Sequence, residues 1–386
     1  MPSVCFYFKV HQPFRIKNYS VFDIGKEENY FDDEKNKIYL DRIVKKSYIP
    51  TLNIIYELIK ETNYRFKVTF GITGVLIEQL KIWHPEVIDL FKKVASTGCV
   101  EFTGETYYHS LSSIYSKKEF IEQVLMHKNL ISSLFNQIPR VFSNTELLYF
   151  DDIVDILEGL GFDAIITEGV DHILEWRSPN FIYEDPSGKM KILLRNYKLS
   201  DDISFRFSSR DWEEWPLTAD KFAYWISQYN GNGEVVNLFM DFETFGEHQW
   251  SETGIFDFLV NLPFEILKQK DLNFMTLTEA IKTYPTRGTF SSPYPITWAD
   301  VERDLTAWVG NEMQKDAIQR LYALENRMKD KYLDKWRKLQ TADHFYYMCT
   351  KWFADGDVHK YFNPYESPYV AYINFRNILE DLNLRL

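Results

Sequence analysis

The amino-acid sequence predicts an α/β protein built on a parallel sheet and followed by an α-helical region. Three observations carry that prediction. Short apolar, β-rich runs recur up to residue 241 and alternate with helical patterns, the signature of strands joined by crossover helices. The polar residues able to do chemistry fall just after those runs. From residue 284 the texture changes, because residues 284–298 (YPTRGTFSSPYPITW) read as a linker or crossing loop and the chain beyond is almost all helical signal.

Seven strands are readable: residues 4–10 (VCFYFKV), 65–72 (RFKVTFGI), 99–103 (CVEFT), 140–143 (RVFS), 164–167 (AIIT), 191–196 (KILLRN) and 235–241 (VVNLFMD). A weaker eighth lies at 273–277. Between them the pattern predicts helices over 41–61, with its stripe interrupted at Pro50, and over 75–95, after Thr73 and Gly74. Further helices are predicted over 117–134, with Ser116 as N-cap, and over 151–161, ending at Gly161. Beyond the crossing loop the prediction is helix over 312–340, 341–353 and 368–382, the last capped by Ser367 with Pro368 at its first position. A closed barrel is the natural architecture for this length, and a doubly wound open sheet also fits the pattern. The expected division is a barrel over residues 1–285 and a helical domain over 286–386.

Bulk properties exclude several classes. The net charge is −12 without any basic tract, which argues against nucleic acid as a partner. Cys5, Cys99 and Cys349 are widely spaced and form no CxxC pair, so neither a disulfide framework nor a structural zinc site is expected. The first residues read as strand, without the basic and apolar segments of a leader, and no apolar run approaches the ~18 residues of a membrane span. The expectation is a cytoplasmic protein without membrane contact; the sequence sets no oligomeric state. Aromatic residues make up 17% of the chain, a high share that suits a sugar cleft, because pyranose rings lay their C–H faces on aromatic planes.

The most chemical stretch is 240–250 (MDFETFGEHQW), with Asp241, Glu243, Glu247 and His248 among two Phe and a Trp. Asp241 stands where a buried strand runs out, a costly place for a carboxylate that nothing uses. His11 and Gln12 follow the first strand, Glu105 and His109 the third, and Glu146 the fourth. In a barrel these positions converge on one mouth. Two carboxylates with separated pKa values, here Glu146 and Asp241, are the minimum equipment for cleaving a glycosidic bond. Each also has a plainer reading: Glu146 as a helix-start charge, Asp241 as a turn cap, His11 and His109 as core histidines. Asp202, after the sixth strand, is a candidate for sugar hydroxyls or for a surface ion pair with Arg206. His248 and Trp250 are candidates by proximity to Asp241; Asp304 and Trp308, in a helical window at 301–314, are candidates for closing the cleft.

At these residues the sequence resembles glycoside hydrolase family 57, which is marked by five short regions. They correspond to His11-Gln12-Pro13, residues 104–109 (GETYYH), 143–149 (SNTELLY), 240–248 (MDFETFGEH) and 302–311 (ERDLTAWVGN). The wider text, including HFYYMCTKWFADGDVH at 344–359, is similar to the archaeal α-amylase-like members. The resemblance implies a distorted TIM-like (β/α)7 barrel with a C-terminal α-helical domain. It also implies retention of configuration, α-1,4-glucan or maltooligosaccharide substrates, Glu146 as nucleophile, Asp241 as acid/base, and no metal or cofactor. An α-amylase is the first expectation. A 4-α-glucanotransferase using the same site is the alternative, then a non-catalytic glycan-binding member of the fold. A metal-dependent polysaccharide deacetylase would need a His/Asp metal set, for which the eight His show no HxxxH spacing.

Overall fold

The computed structural model describes residues 2–351 and 358–386. Ten strands form among the described residues: β1 Ser3–Val10, β2 Val68–Ile72, β3 Val100–Phe102, β4 Val141–Ser143, β5 Ala164–Glu168, β6 Ile182–Glu184, β7 Lys191–Arg195, β8 Val235–Asp241, β9 Asn273–Phe274 and β10 Thr286–Thr289. One sheet runs β3-β2-β1-β8 with all pairs parallel, and β9 pairs with Ser3 and Val4 of β1 below the point where β2 begins. The other runs β10-β6-β7-β5-β4, parallel except for the antiparallel pair of β6 and β7.

Both seams between these sheets are bridged. At the first, Gly104 donates to Val141 O at 2.9 Å and accepts from Ser143 N–H at 2.8 Å, carrying β3 into β4. A side chain at Gly104 would put its Cβ 2.4 Å from the Phe162 ring, so only glycine lets the strands close here. At the second, Asn196 N–H donates to Asn237 O at 2.9 Å and Asn237 Nδ2 donates to Leu194 O at 2.9 Å, joining β7 to β8. Strands β1, β2, β3, β4, β5, β7 and β8 thus follow one another around a distorted (β/α)7 barrel. Its core is aromatic: Phe6, Phe8, Phe70 and Phe242 are all 0–1% exposed and pack ring on ring. Each such burial stabilises by roughly 1.5–3 kcal/mol.

The seven strongly patterned strands lie where expected, and the weak eighth is the two-residue β9. Two strands differ from expectation. β6 and β10 have three and four residues, and β10 lies inside the stretch read as a linker. Its TRGT sequence is mostly exposed and gives no apolar alternation; it becomes a strand because the backbone of β6 is available to pair. Three long helices are broken. Residues 41–61 form a helix at Asp33–Ile43, a π turn at Val44–Tyr48 and a second helix at Ile49–Glu61 that opens with Pro50. Proline lacks the N–H that a continuous helix needs. Residues 75–95 divide at His84, ahead of Pro85, into Gly74–Trp83 and Pro85–Ala95. Residues 312–340 divide into Glu312–Ala323 and Asp330–Leu339 around a 3-10 turn at Glu325–Arg327, a break the charged pattern hides. The helix expected over 341–353 is the short Ala342–Tyr346, and residues 352 and 353 lie outside the described residues. Two caps are as predicted: Ser116 Oγ accepts from Glu119 N–H and Ser367 Oγ from Val370 N–H, both at 3.2 Å.

The C-terminal helices pack on the end of the barrel where the strands finish. Trp308, Trp336, Phe345 and Phe375 share one buried cluster with Phe14 and Ile16, which follow β1, and with Val75, Tyr108 and Leu148. Ala342 N–H donates to His109 O at 2.8 Å, and Arg337 meets Glu119 at 2.8 and 3.1 Å. No helix among the described residues is long and apolar enough to cross a membrane.

Candidate active site

Where the strands end and the helices cover them, a cavity of about 730 Å³ opens, and both Glu146 and Asp241 line it. Glu146 follows β4 in the turn Thr145–Leu147 with φ of 55°, and Leu147 beside it has φ of 54°. Left-handed backbone at two successive non-glycine residues costs of order 1–3 kcal/mol each and persists only where the surroundings fix it. Here they do: Asn144 Oδ1 accepts from Thr145 N–H, Thr145 Oγ1 donates to Ser110 O, and Trp298 N–H donates to Glu146 O. The carboxylate itself is held at both oxygens. His109 Nε2 reaches Oε1 at 2.7 Å and Trp298 Nε1 donates to Oε2 at 2.7 Å.

Asp241 is the last residue of β8, and its carboxyl has no hydrogen-bond partner among the described residues. Burial pushes its pKa well above the ordinary value, and the charges of Glu243 and Glu146 push it further. Glu146 is also raised by burial, but the Trp298 N–H works in the opposite direction. Glu243 is pushed up to about 7 by burial; Tyr48 and Gln12 donate to it. His109 is held neutral, its pKa well below the ordinary value through burial and then through His11 and Lys9. A neutral ring that donates from Nε2 leaves Nδ1 bare, and Nδ1 is indeed buried without a partner.

Of the residues expected at the site, His11, Gln12, His109, Glu146, Asp241, Glu243, His248 and Trp308 all line the cavity. Four others do not. Glu105 is fully buried beneath it, ion-paired with Lys9. Asp202 accepts from Arg206 Nε at 2.6 Å, the ion pair weighed against a sugar contact. Asp304 caps the turn that follows it, accepting from Thr306 N–H at 2.8 Å and Thr306 Oγ1 at 2.6 Å. Trp250 is 57% exposed outside the cavity, with the Lys46 ammonium over its ring. Among the lining residues not singled out from the sequence are Trp298 and Asp343. Trp298 closes the stretch read as a linker, and its one signal was a tryptophan among Pro, Ser and Thr. Asp343 accepts from His11 Nε2 at 2.9 Å and stands directly before the HFYYM run. Burial alone would raise Asp343, but His11 beside it holds it well below the usual carboxylate range.

His11, His109 and Asp343 also form the one group of possible metal donors among the described residues, their atoms within 4.8 Å of one another. Apart from His109 Nδ1, the imidazole donors are already engaged. His11 bonds Thr73 through Nδ1 and Asp343 through Nε2, and His109 donates to Glu146. The two imidazoles stack with centroids 4.0 Å apart and planes at 33°. Their in-plane lone pairs therefore do not point to a common centre. The cluster fits a hydrogen-bonded wall beside Glu146 better than a metal centre.

Two unlike carboxylates facing one large, partly aromatic cavity are the equipment that enzymes cleaving or transferring glycosidic bonds use. The model of glycosyl hydrolase family 57 matches residues 5–295, and the chain belongs to that family. It is a glycoside hydrolase. A protein of Methanocaldococcus jannaschii, provisionally named an α-amylase, is 46% identical over 395 residues, spanning 98% of this chain and 83% of the relative. Among solved structures, a branching enzyme of this family from Pyrococcus horikoshii aligns over 90% of this chain and 85% of its own, with TM-score 0.66 and 17% identity. The 4-α-glucanotransferase of Thermococcus litoralis aligns over 89% of this chain and 48% of its own, with TM-score 0.59 and 19% identity. At those identities the structural likeness speaks for the fold.

Proposed function

We propose that this protein processes α-1,4-glucans with retention of configuration, in the manner of an α-amylase, with Glu146 as nucleophile and Asp241 as acid/base. The observation that carries the assignment is the unequal treatment of the two carboxyls. Glu146 receives an N–H at each oxygen, which favours the anion. Asp241 receives none and is flanked by two acidic side chains, which favours the protonated form. The ionised group attacks C1 of the glucosyl unit while the protonated one gives its proton to the departing glycosidic oxygen. Asp241, now a carboxylate, then takes a proton from the acceptor hydroxyl as its oxygen bonds C1 and the bond from C1 to Glu146 breaks. His11, Gln12, His248 and Trp308 are proposed to hold the sugar on the same cavity wall. The names of the relatives, an α-amylase, a 4-α-glucanotransferase and a branching enzyme, support α-glucan as substrate.

The two parts of the chain divide the work in this proposal. The barrel, residues 1–285, brings both carboxylates. Residues 286–386 close the cleft, with Trp298 on Glu146 and Asp343 on His11. Incubation with maltoheptaose tests the reading: wild-type enzyme is expected to yield shorter maltooligosaccharides, and Asp241→Asn to slow this by about 10²–10⁴-fold. Maltoheptaose bound but unchanged over long incubation would instead mean a glycan-binding protein.

A further inference from the structure

Trp298, which donates to Glu146, stands on a loop that does not hold itself. Thr297 N–H donates to Arg303 O at 3.0 Å and closes the loop, but Asp300 and Arg303 within it have left-handed backbone, with φ of 53° and 55°. Neither is glycine, so each costs of order 1–3 kcal/mol and needs partners outside the loop. Asp300 finds them on the C-terminal side, in His359 at 2.9 and 3.0 Å and Lys351 at 3.2 Å. Arg303 finds them on the barrel. Its Nη1 lies 3.3 Å from Glu168 Oε2, at the end of β5, and its Nη2 lies 3.8 Å from Asp201 Oδ2, beyond β7. The same Nη1 donates to the backbone O of Trp298. Arg195, the last residue of β7, completes the network. Its Nη1 reaches Glu168 Oε2 at 3.0 Å, its Nη2 donates to Asp201, and its guanidinium stands 5.6 Å from the centre of the Trp298 ring.

Two guanidinium groups and two carboxylates offset one another here, and the fully buried Glu168 needs cations beside it. Any cation at position 303 would meet that need. The bond to the Trp298 carbonyl is a separate matter, and it draws on what arginine has and lysine lacks, a rigid fork whose several N–H groups serve several acceptors at once. The main chain of Trp298 is thereby held from both sides, its N–H on Glu146 O and its O on Arg303. We propose that Arg303 is a positioning residue for the nucleophile: it fixes the Trp298 main chain against the barrel, so that the indole N–H stays on Glu146 Oε2 and favours the anion. Arg195 stands over the ring, and Arg303 holds the backbone to which the ring is attached. An indole has a single N–H with a single direction, so a turn of the Trp298 backbone takes the donor away from Glu146. This inference rests on the proposed role of Glu146.

The test reads kcat, KM and the pH profile of kcat/KM on maltoheptaose for Arg303→Met, Arg303→Lys, Trp298→Phe and the double variant Arg303→Met with Trp298→Phe. Arg303→Met is expected to lower kcat about tenfold with KM little changed. Its acid limb should move to higher pH, because Glu146 loses a donor that favours the anion. Arg303→Lys keeps a cation beside Glu168 and Asp201 and so serves where the methionine variant is unstable; its acid limb should move the same way, by less. In the Trp298→Phe background the change at 303 is expected to move the limb no further, because the donor it positions is already gone. A limb that moves again in that background means that Arg303 acts on Glu146 by its own charge. Arg303 also lines the cavity, and a raised KM with kcat unchanged means that it touches the sugar. An unmoved limb in both single variants at 303 leaves it a structural ion pair. Each of these three results overturns the positioning role and leaves the glycosidase reading intact. Full activity in Glu146→Gln, measured alongside, overturns both.

Discussion

Glu146 and Asp241 share a cavity yet are held in opposite ways, and the difference can be read as pH dependence. In the proposed mechanism Glu146 acts ionised and Asp241 protonated, so kcat/KM should fall at low pH with the first and at high pH with the second. Asp241 is raised by burial and then by the negative charges of Glu243 and Glu146. Glu243, pushed up to about 7, is ionised over the alkaline side of that profile. Glu243→Gln removes a charge that discourages ionisation of Asp241. The alkaline limb should therefore move to lower pH, and a move to higher pH would contradict the electrostatic account. On the other limb, the Trp298 N–H favours the Glu146 anion. Trp298→Phe keeps the ring and removes the donor. The acid limb should move to higher pH, with kcat lowered by about 10- to 100-fold, as expected for losing a hydrogen bond to a charged group. An unmoved acid limb would take Trp298 out of that role.

The loop that follows β8 shows how one element carries the site. After Asp241 the chain turns back at Gly246, whose φ is +102° and whose position would place a Cβ 2.0 Å from Lys46 O. Left-handed backbone and backbone contact combine, so no side chain fits without moving the π turn that bears Lys46. Gly246→Ala is expected to cost about 2–4 kcal/mol of stability, read as a shift in denaturant midpoint; a loss below about 0.5 kcal/mol would mean that the turn gives way easily. Elements of this kind were legible to different degrees. Strands buried on both faces show as apolar runs, which is why β1, β2 and β8 stand out in the sequence. β6 and β10 are too short to show; β10 is also mostly exposed and forms by pairing with β6, which is held in turn by β7. Helices were legible as stripes, but their breaks were not: His84 ahead of Pro85 and the turn at Glu325–Arg327 interrupt helices without interrupting the apolar periodicity.

For the whole molecule, the same distinction separates what could be read of the site from what could not. Residues next to a strong strand, such as His11, Glu146 and Asp241, were visible because barrel topology sends every strand end to one mouth. Asp343 and Trp298 were not, because their places depend on how the C-terminal region folds back. Asp343 meets His11 across 332 residues of chain and Trp298 meets Glu146 across 152. Glu105 and Asp202 mislead for the opposite reason: each follows a strand, but a nearby cation takes its carboxylate. The central claim remains that Glu146 becomes covalently glycosylated while Asp241 moves the proton. The measurement that tests it most directly is trapping with a 5-fluoro-α-glucosyl fluoride, followed by proteolysis and mass mapping of the labelled peptide. The account predicts a single glucosyl adduct on Glu146, absent from Glu146→Gln. An adduct on Asp241 or on any other side chain would contradict it.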